Sequence, residues 1–315
     1  MTLTNPNRGR GVRNVATLSS LCLLPAIAAG GTTQSSDEIR AMVAEIMAES
    51  QSRTSLLAAD AGHDGHFHVS DGSGDFRLQI EGQIQFRYTA NFRDDDDVVN
   101  SDSFESGFSA SRTALAFSGS VFSDPGFIYR VSGNFDRADG GFDLEDAYVG
   151  HAFDNGLILI FGQLRMPVLW EDVLNDQYSL AVDQSVVNGV FRQDRSQGIW
   201  LHYSTDDWRM WVGFSDGIRS ENTDFATDGS DWALTTRWEY KFDGEWSQFD
   251  QFSSAPGSDL GIKGALATHW QGGPDGDPAV TDTLIGAYTA DLMVEGDGWN
   301  LYGAAVGLYV EPDGG

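Results

Sequence analysis

The segment Phe76–Phe92 alternates between apolar or small residues and polar ones along its whole length. A period of two predicts a β-strand with one apolar face and one polar face. The run is about three times as long as the usual strand of 5–6 residues, whereas a strand that crosses a lipid bilayer needs about 9–11 tilted residues and can continue into a loop. The segment therefore predicts a membrane-spanning strand with lipid on one side and water on the other. We expect lipid on the side of Ile80, Ile84 and Phe86, and water on the side of Gln79, Gln83 and Gln85.

The composition of this chain indicates that it could cross a membrane with β-strands but not with helices. The sequence contains no run of about 18 apolar residues, which a transmembrane helix requires. It has 19 basic and 47 acidic residues and a formal net charge of −28, which excludes nucleic acid as a partner. Acidic runs such as Asp94–Asp97 predict solvated loops, with divalent cations held between loop carboxylates as the alternative.

The N-terminus has the three parts of a secretory signal peptide. Basic residues precede an apolar stretch, and Ala26-Ile27-Ala28 fits an A-x-A cleavage site. We therefore expect a signal peptide over 1–28, a periplasmic helix and flexible linker over 29–74, and a β-domain over 75–315. The helix would begin near Ser36, and its apolar stripe could pack against the β-domain or a membrane, or associate with other copies.

Eleven alternating runs, separated by breaks rich in Gly, Asp, Asn or Pro, fill the chain from residue 75 onward. The runs cover 75–92, 107–122, 127–136, 142–153, 157–164, 195–204, 208–215, 231–242, 260–270, 283–294 and 299–310. Short breaks alternate with long ones, as in outer-membrane barrels with short periplasmic turns and long external loops. The sequence therefore predicts an all-β fold, a transmembrane antiparallel β-barrel. Because such barrels close with an even number of strands, we expect further strands beyond residue 315.

One break departs from this alternation of lengths. The segment 243–259 falls on the short-turn side but is long, and it contains Trp246, Phe249 and Phe252. The sequence predicts only that these aromatic residues pack together within the turn.

The region 144–173, together with 184–204, resembles the family of phosphate-selective porins O and P. The residues that carry the resemblance are Gly162, Gln163, Arg165, Pro167, Glu171, Arg195 and Gly198. The resemblance implies an outer-membrane porin of about 16 strands, of which about 11 are present in this chain, assembled as a homotrimer. It also implies a water-filled channel for passive diffusion of small ions and polar solutes, including anions such as phosphate, with the long third loop folded into the channel as a constriction.

Charged residues in and beside the break 165–194 are the candidate site. Opposed charges across a narrow pore would orient polar solutes in a transverse field. Alternatively, these ions pair only to brace the loop. The expected constriction residues are Arg165, Glu171, Asp172, Arg192 and Arg195. The expected pore-lining residues, chosen by their inward parity, are Arg112 and Arg130.

Other functions compete with a channel. The sequence has no G-x-S-x-G motif, and its histidines outside the linker stand singly, so we do not expect an enzyme. The linker residues His63, His66 and His68 could hold a metal, but the glycines around them favour a flexible linker, and we expect no metal or cofactor. The remaining alternative is a structural outer-membrane anchor that tethers the envelope through its N-terminal helix.

Overall fold

The sequence folds, in a computed structural model, into one antiparallel β-sheet of 13 strands that pair in chain order. The structure describes residues 45, 60–63, 67–92, 104–122, 126–179, 181, 183–224, 230–273 and 283–311. The predicted signal peptide, the acidic run Asp94–Asp97, His66 and, except for Glu45, the predicted N-terminal helix lie outside the described residues. Within the described part of the chain, no helix is both long enough and apolar enough to cross a membrane.

The eleven predicted runs correspond to strands β3 to β13, which confirms the all-β prediction. The bounds of these strands are β3 Phe76–Phe92, β4 Phe104–Val121, β5 Phe127–Phe135, β6 Phe142–Ala152, β7 Leu157–Arg165, β8 Arg195–Ser204, β9 Trp208–Ser215, β10 Trp232–Asp243, β11 Gly261–Gly272, β12 Leu284–Gly296 and β13 Trp299–Glu311. The described helices are short, and they are α1 Trp170–Val173, α2 Val186–Phe191 and the 3₁₀ turns Asp176–Tyr178 and Trp246–Asp250.

Two strands precede the eleven that the sequence predicts. Strands β1 (Asp60–His63) and β2 (Phe67–Ser70) form a small hairpin, and β2 pairs with residues 77–80 of β3. The expected count of about 11 strands is therefore too low for the described residues. The physical reason is that the long strand β3 presents backbone N–H and C=O groups along its free edge, and short neighbouring segments can pair with them even when they are rich in glycine.

The two faces of the sheet differ as the alternation predicts. The faces can be compared on β3, where Ile84 and Phe86 are 76% and 70% exposed, while Gln83 and Gln85 are half-buried. On β10 the contrast is stronger, because Trp238 is exposed while its neighbours Arg237 and Glu239 are buried. We call the face that carries these polar groups the inner face and the opposite one the outer face.

The sheet curls around its inner face. Val168, in the connection between β7 and β8, accepts a hydrogen bond from Thr289 on β12 at 2.7 Å, and Asp176 of the same connection forms an ion pair with Arg112 on β4 at 2.9 Å. In a flat sheet β4 and β12 would be about 38 Å apart, since neighbouring strands are about 4.8 Å apart. The chain from Val168 to Asp176, which includes α1, covers only about 20 Å. Even with the reach of the side chains, the sheet must curve for both contacts to form.

The two ends of the sheet carry different connections. At one end, the long-loop end, the connections are 93–103, 136–141, 166–194, 216–231 and 273–283. At the other end, the turn end, the connections are 71–75, 122–126, 153–156, 205–207, 244–260 and 297–298. β1 and β13 are the two edges of the sheet, and within the described residues no pairing joins them.

Candidate functional site

The connection 166–194, which we call the inserted loop, lies against the inner face of the sheet. Its base is closed by a hydrogen bond from the Met166 N–H to the Asp194 carbonyl at 2.9 Å. Just beyond the base, the chain buries the apolar residues Val168, Leu169 and Trp170. Burial of these apolar residues favours this path of the loop, because it offsets part of the entropy lost when the chain is ordered.

Arg165, the last residue of β7, holds the first turn of the inserted loop. Its Nη1 donates to the carbonyls of Asp172 at 2.7 Å and Leu174 at 3.0 Å, at the end of α1. The carboxylate of Asp172 in turn accepts from the Asp194 N–H at 3.2 Å. Burial raises the pKa of the Asp172 carboxyl above its ordinary value, because desolvation outweighs the favourable charge of Arg165.

Glu171 braces the loop from within. Its carboxylate accepts hydrogen bonds from the Ser185 N–H at 2.6 Å and from the Ser185 Oγ at 2.5 Å. Ser185 is the N-cap residue of α2, where it accepts from the Asn188 N–H. This placement favours the bracing alternative for Glu171.

Arg195, the first residue of β8, joins three carboxylates on the inner face. The guanidinium lies 3.1 Å from Glu145, 2.9 Å from Asp146 and 3.7 Å from Asp194. Glu145 and Asp146 are adjacent in sequence, yet both reach Arg195, because a bulge in β6 interrupts the pairing with β5 at this point. Arg130 on β5 shares Asp146, at 3.3 Å.

The inserted loop also contacts β3 and β4. Arg112 pairs with Asp176 and also donates to the Gln85 Oε1 at 2.7 Å. Arg87 on β3 pairs with Asp183 of the loop at 3.0 Å. The ion pairs of the inserted loop therefore reach β3 and β4, which lie on one side of β7 and β8.

A cavity of about 440 Å³ lies between the inserted loop and the inner face of β4 to β8. Its basic lining residues are Arg112, Arg165, Arg192 and Arg195. Its acidic lining residues are Asp143, Glu145, Asp172, Asp176, Asp194 and Glu221. The cavity thus brings together every expected site residue except Glu171 and Arg130, and Arg130 lines a neighbouring cavity together with Arg165 and Arg195. Such a lining can offer positively charged, negatively charged and neutral polar groups to a hydrated solute.

A second charged cluster, on β10 to β12, is missed by the sequence analysis. Arg237 forms ion pairs with Glu239 at 2.7 Å and Asp291 at 2.9 Å, and Lys263 pairs with Glu239 at 3.3 Å. The side chains of Arg237 and Lys263 are fully buried. These charged residues alternate along their strands with exposed apolar residues such as Trp238. That period of two could have identified them from the sequence as residues of the inner face.

This second cluster anchors the inserted loop. The Val168 carbonyl accepts from Arg237 Nη1 at 3.3 Å as well as from Thr289. The Lys263 Nζ lies 3.3 Å from the centre of the Trp170 ring, in a cation–π contact. The loop therefore covers the inner face of β10 to β12 and leaves a cavity on the side of β4 to β8. In the described part of the chain, no group of three His, Cys, Asp or Glu side chains could hold a metal ion.

No protein-family model and no curated protein matches the chain. Among solved structures, it is similar to mutants of a porin from Rh. blastica. Three of these are 12%, 12% and 13% identical, with TM-scores of 0.30, 0.32 and 0.31, and each comparison covers 73% of this chain and 89% of the porin. Similarity at this level supports no functional argument.

Proposed function

We propose that this chain is an outer-membrane porin, whose strands form a transmembrane β-barrel around a water-filled channel for passive diffusion of small ions and polar solutes. The observation that carries the proposal is the arrangement of the two faces. The outer face exposes large apolar side chains strand after strand, and the inner face holds ion pairs and hydrogen-bonded polar groups. A protein surrounded by water would bury the first set, whereas a barrel in lipid exposes it.

Aromatic residues on the outer face support the proposal further. Near the long-loop end, exposed rings belong to Phe92, Phe104, Phe108, Phe142, Trp232, Trp270 and Tyr309. Near the turn end, exposed rings belong to Phe76, Phe122, Phe127, Phe153, Tyr240, Phe242 and Trp299. Between these two sets lie aliphatic residues such as Leu234, Leu266 and Leu292, with single exposed rings such as Phe86 and Trp238 among them. Two aromatic girdles around an aliphatic band are typical of strands that span a bilayer, because aromatic rings favour the membrane interfaces.

The proposal assigns the narrowest part of the channel to the inserted loop and the strands that face it. Arg165, Arg192 and Arg195 would border the solute path opposite Asp172, with Arg112 and Arg130 along the wall. The cavity of about 440 Å³ with these residues in its lining or beside it supports this assignment. Passage of anions such as phosphate, and assembly as a homotrimer, are finer parts of the proposal that rest on the resemblance of 144–173 and 184–204 to phosphate-selective porins.

Planar-bilayer recording of the purified protein tests the proposed function. We expect stepwise increases in current as single channels insert, and no steps with detergent buffer alone or with heat-denatured protein. Membrane insertion is followed independently by protection of the strands from protease in liposomes. Protein that inserts but passes no current would contradict the porin proposal and favour the structural anchor.

A further inference from the structure

The connection 244–260 is the one turn-end connection among the described strands that reaches far onto the inner face. Phe249 and Phe252 of this connection are buried, and they pack in one cluster with Trp170 and Leu174 of the inserted loop. The backbone also makes contact, because the Phe252 N–H donates to the Tyr178 carbonyl at 3.0 Å. Two segments that enter from opposite ends of the sheet therefore meet inside it.

The connection 244–260 is itself firmly held. Glu245 and Gln248 form a capping box at the start of its 3₁₀ turn, and the Gln248 Nε2 donates to the Asp259 carbonyl at 2.9 Å. The Trp246 Nε1 donates to the Thr205 carbonyl at 2.9 Å, and the Arg209 guanidinium lies 4.1 Å from the centre of the Trp246 ring. These contacts tie the connection to the neighbouring turn and wall, so that it can serve as a fixed support.

The same sheet wall supports both segments. Lys263 lies 3.3 Å from the Trp170 ring centre and 5.7 Å from the Phe249 ring centre. Met293 on β12 is fully buried in the shared cluster, and the Tyr302 ring on β13 lies 4.9 Å from the Phe252 ring. Water is thus excluded from a region that joins loop, connection and wall.

We propose that the connection 244–260 is a latch that holds the inserted loop in its inward position and so sets the width of the channel. This inference rests on the proposed porin function. Phe249 and Phe252 are positioning residues, because they act on the channel through the inserted loop. The reason is physical: if the shared cluster opened, the apolar side chains of both segments would be exposed to water, so each segment keeps the other in place.

Single-channel recording of Phe249→Ala and Phe252→Ala tests the latch. We expect both variants to show a rise in conductance and new fluctuations between levels, because the inserted loop loses its support. Leu260→Ala is the matched control, since Leu260 belongs to the same connection but is exposed. We expect it to conduct like the wild-type protein. Phenylalanine variants that insert and conduct like the wild-type protein would overturn the latch while leaving the porin function standing.

A cysteine pair keeps the test decisive if the alanine variants fail to fold. Tyr178→Cys combined with Phe252→Cys places two thiols where the backbones are in contact, so oxidation should form a disulfide that closes the latch covalently. We expect steady wild-type-like conductance when the pair is oxidised and a rise with fluctuations on reduction, whereas the single-cysteine variants should not respond to reductant. Equal conductance in the two redox states would overturn the latch. A wild-type protein that inserts without conducting would overturn the porin function and the latch with it.

Discussion

The inner faces of β3 to β6 and of β10 to β12 have similar charged residues in different surroundings. On β4 and β5, the side chains of Arg112 and Arg130 are 23% and 18% exposed and border cavities. On β10 and β11, the side chains of Arg237 and Lys263 are 0% exposed beneath the inserted loop. We call these regions the open wall and the covered wall. The difference teaches that one alternation pattern can provide both a surface that borders cavities and an anchor for the inserted loop. In the proposed porin, the solute path would follow the open wall.

The largest expected effect is on the covered wall. Replacing Glu239 by Gln would leave Arg237 and Lys263 short of a buried counter-charge, and breaking a buried pair in this way costs about 3–5 kcal/mol. The matched change on the open wall, Glu81→Gln, should cost less than about 1 kcal/mol, because the Arg130–Glu81 contact is 3.6 Å long and partly exposed. The free energy of unfolding from urea titrations in detergent would measure both. Similar losses at Glu239 and Glu81 would contradict the distinction between the walls.

The two faces of the sheet should also differ in the free energy that a new charge costs. An arginine at Ile84 on the outer face should cost about 2–4 kcal/mol if the residue lies near the bilayer midplane. An arginine at the neighbouring Gln83 should cost little, because that side chain faces the cavity next to Glu81. Folding free energies in liposomes would report the two values. Equal losses would refute the assignment of the outer face to lipid.

A smaller, functional effect is expected from the arginines near the inserted loop. Replacing Arg165, Arg192 and Arg195 together by Gln removes positive charge from the cavity and leaves carboxylates such as Glu145 and Asp146. We expect the reversal potential under a salt gradient to shift towards cation preference. If both the reversal potential and the conductance stay at their wild-type values, these arginines only brace the loop.

Much of the strand pattern could be predicted from the sequence, because alternation fixes which side chains share a face. The inward parity of Arg112 and Arg130 followed from the same rule. The hairpin β1–β2 could not be predicted, since its strands are too short to show a period and depend on the free edge of β3.

Most hydrogen-bond partners in and around the candidate site could not be predicted from the sequence. The hydrogen bonds that Arg165 donates to the carbonyls of Asp172 and Leu174 could not be predicted, because no pattern of side chains reveals backbone partners. The meeting of Phe252 with Tyr178 depends on two connections at opposite ends of a curled sheet. Contacts of this kind join residues that are remote in sequence, so no local pattern predicts them.

Thiol accessibility compares the two walls most directly. Ala114 on β4 is half-buried and lines the cavity that Arg130 also lines on the open wall, whereas Ala287 on β12 is 1% exposed on the covered wall. In channels carrying Ala114→Cys, a charged, water-soluble methanethiosulfonate should react and reduce the current. In channels carrying Ala287→Cys, the same reagent should leave the current unchanged. Fast modification of Ala287→Cys together with protection of Ala114→Cys would contradict a solute path along the open wall.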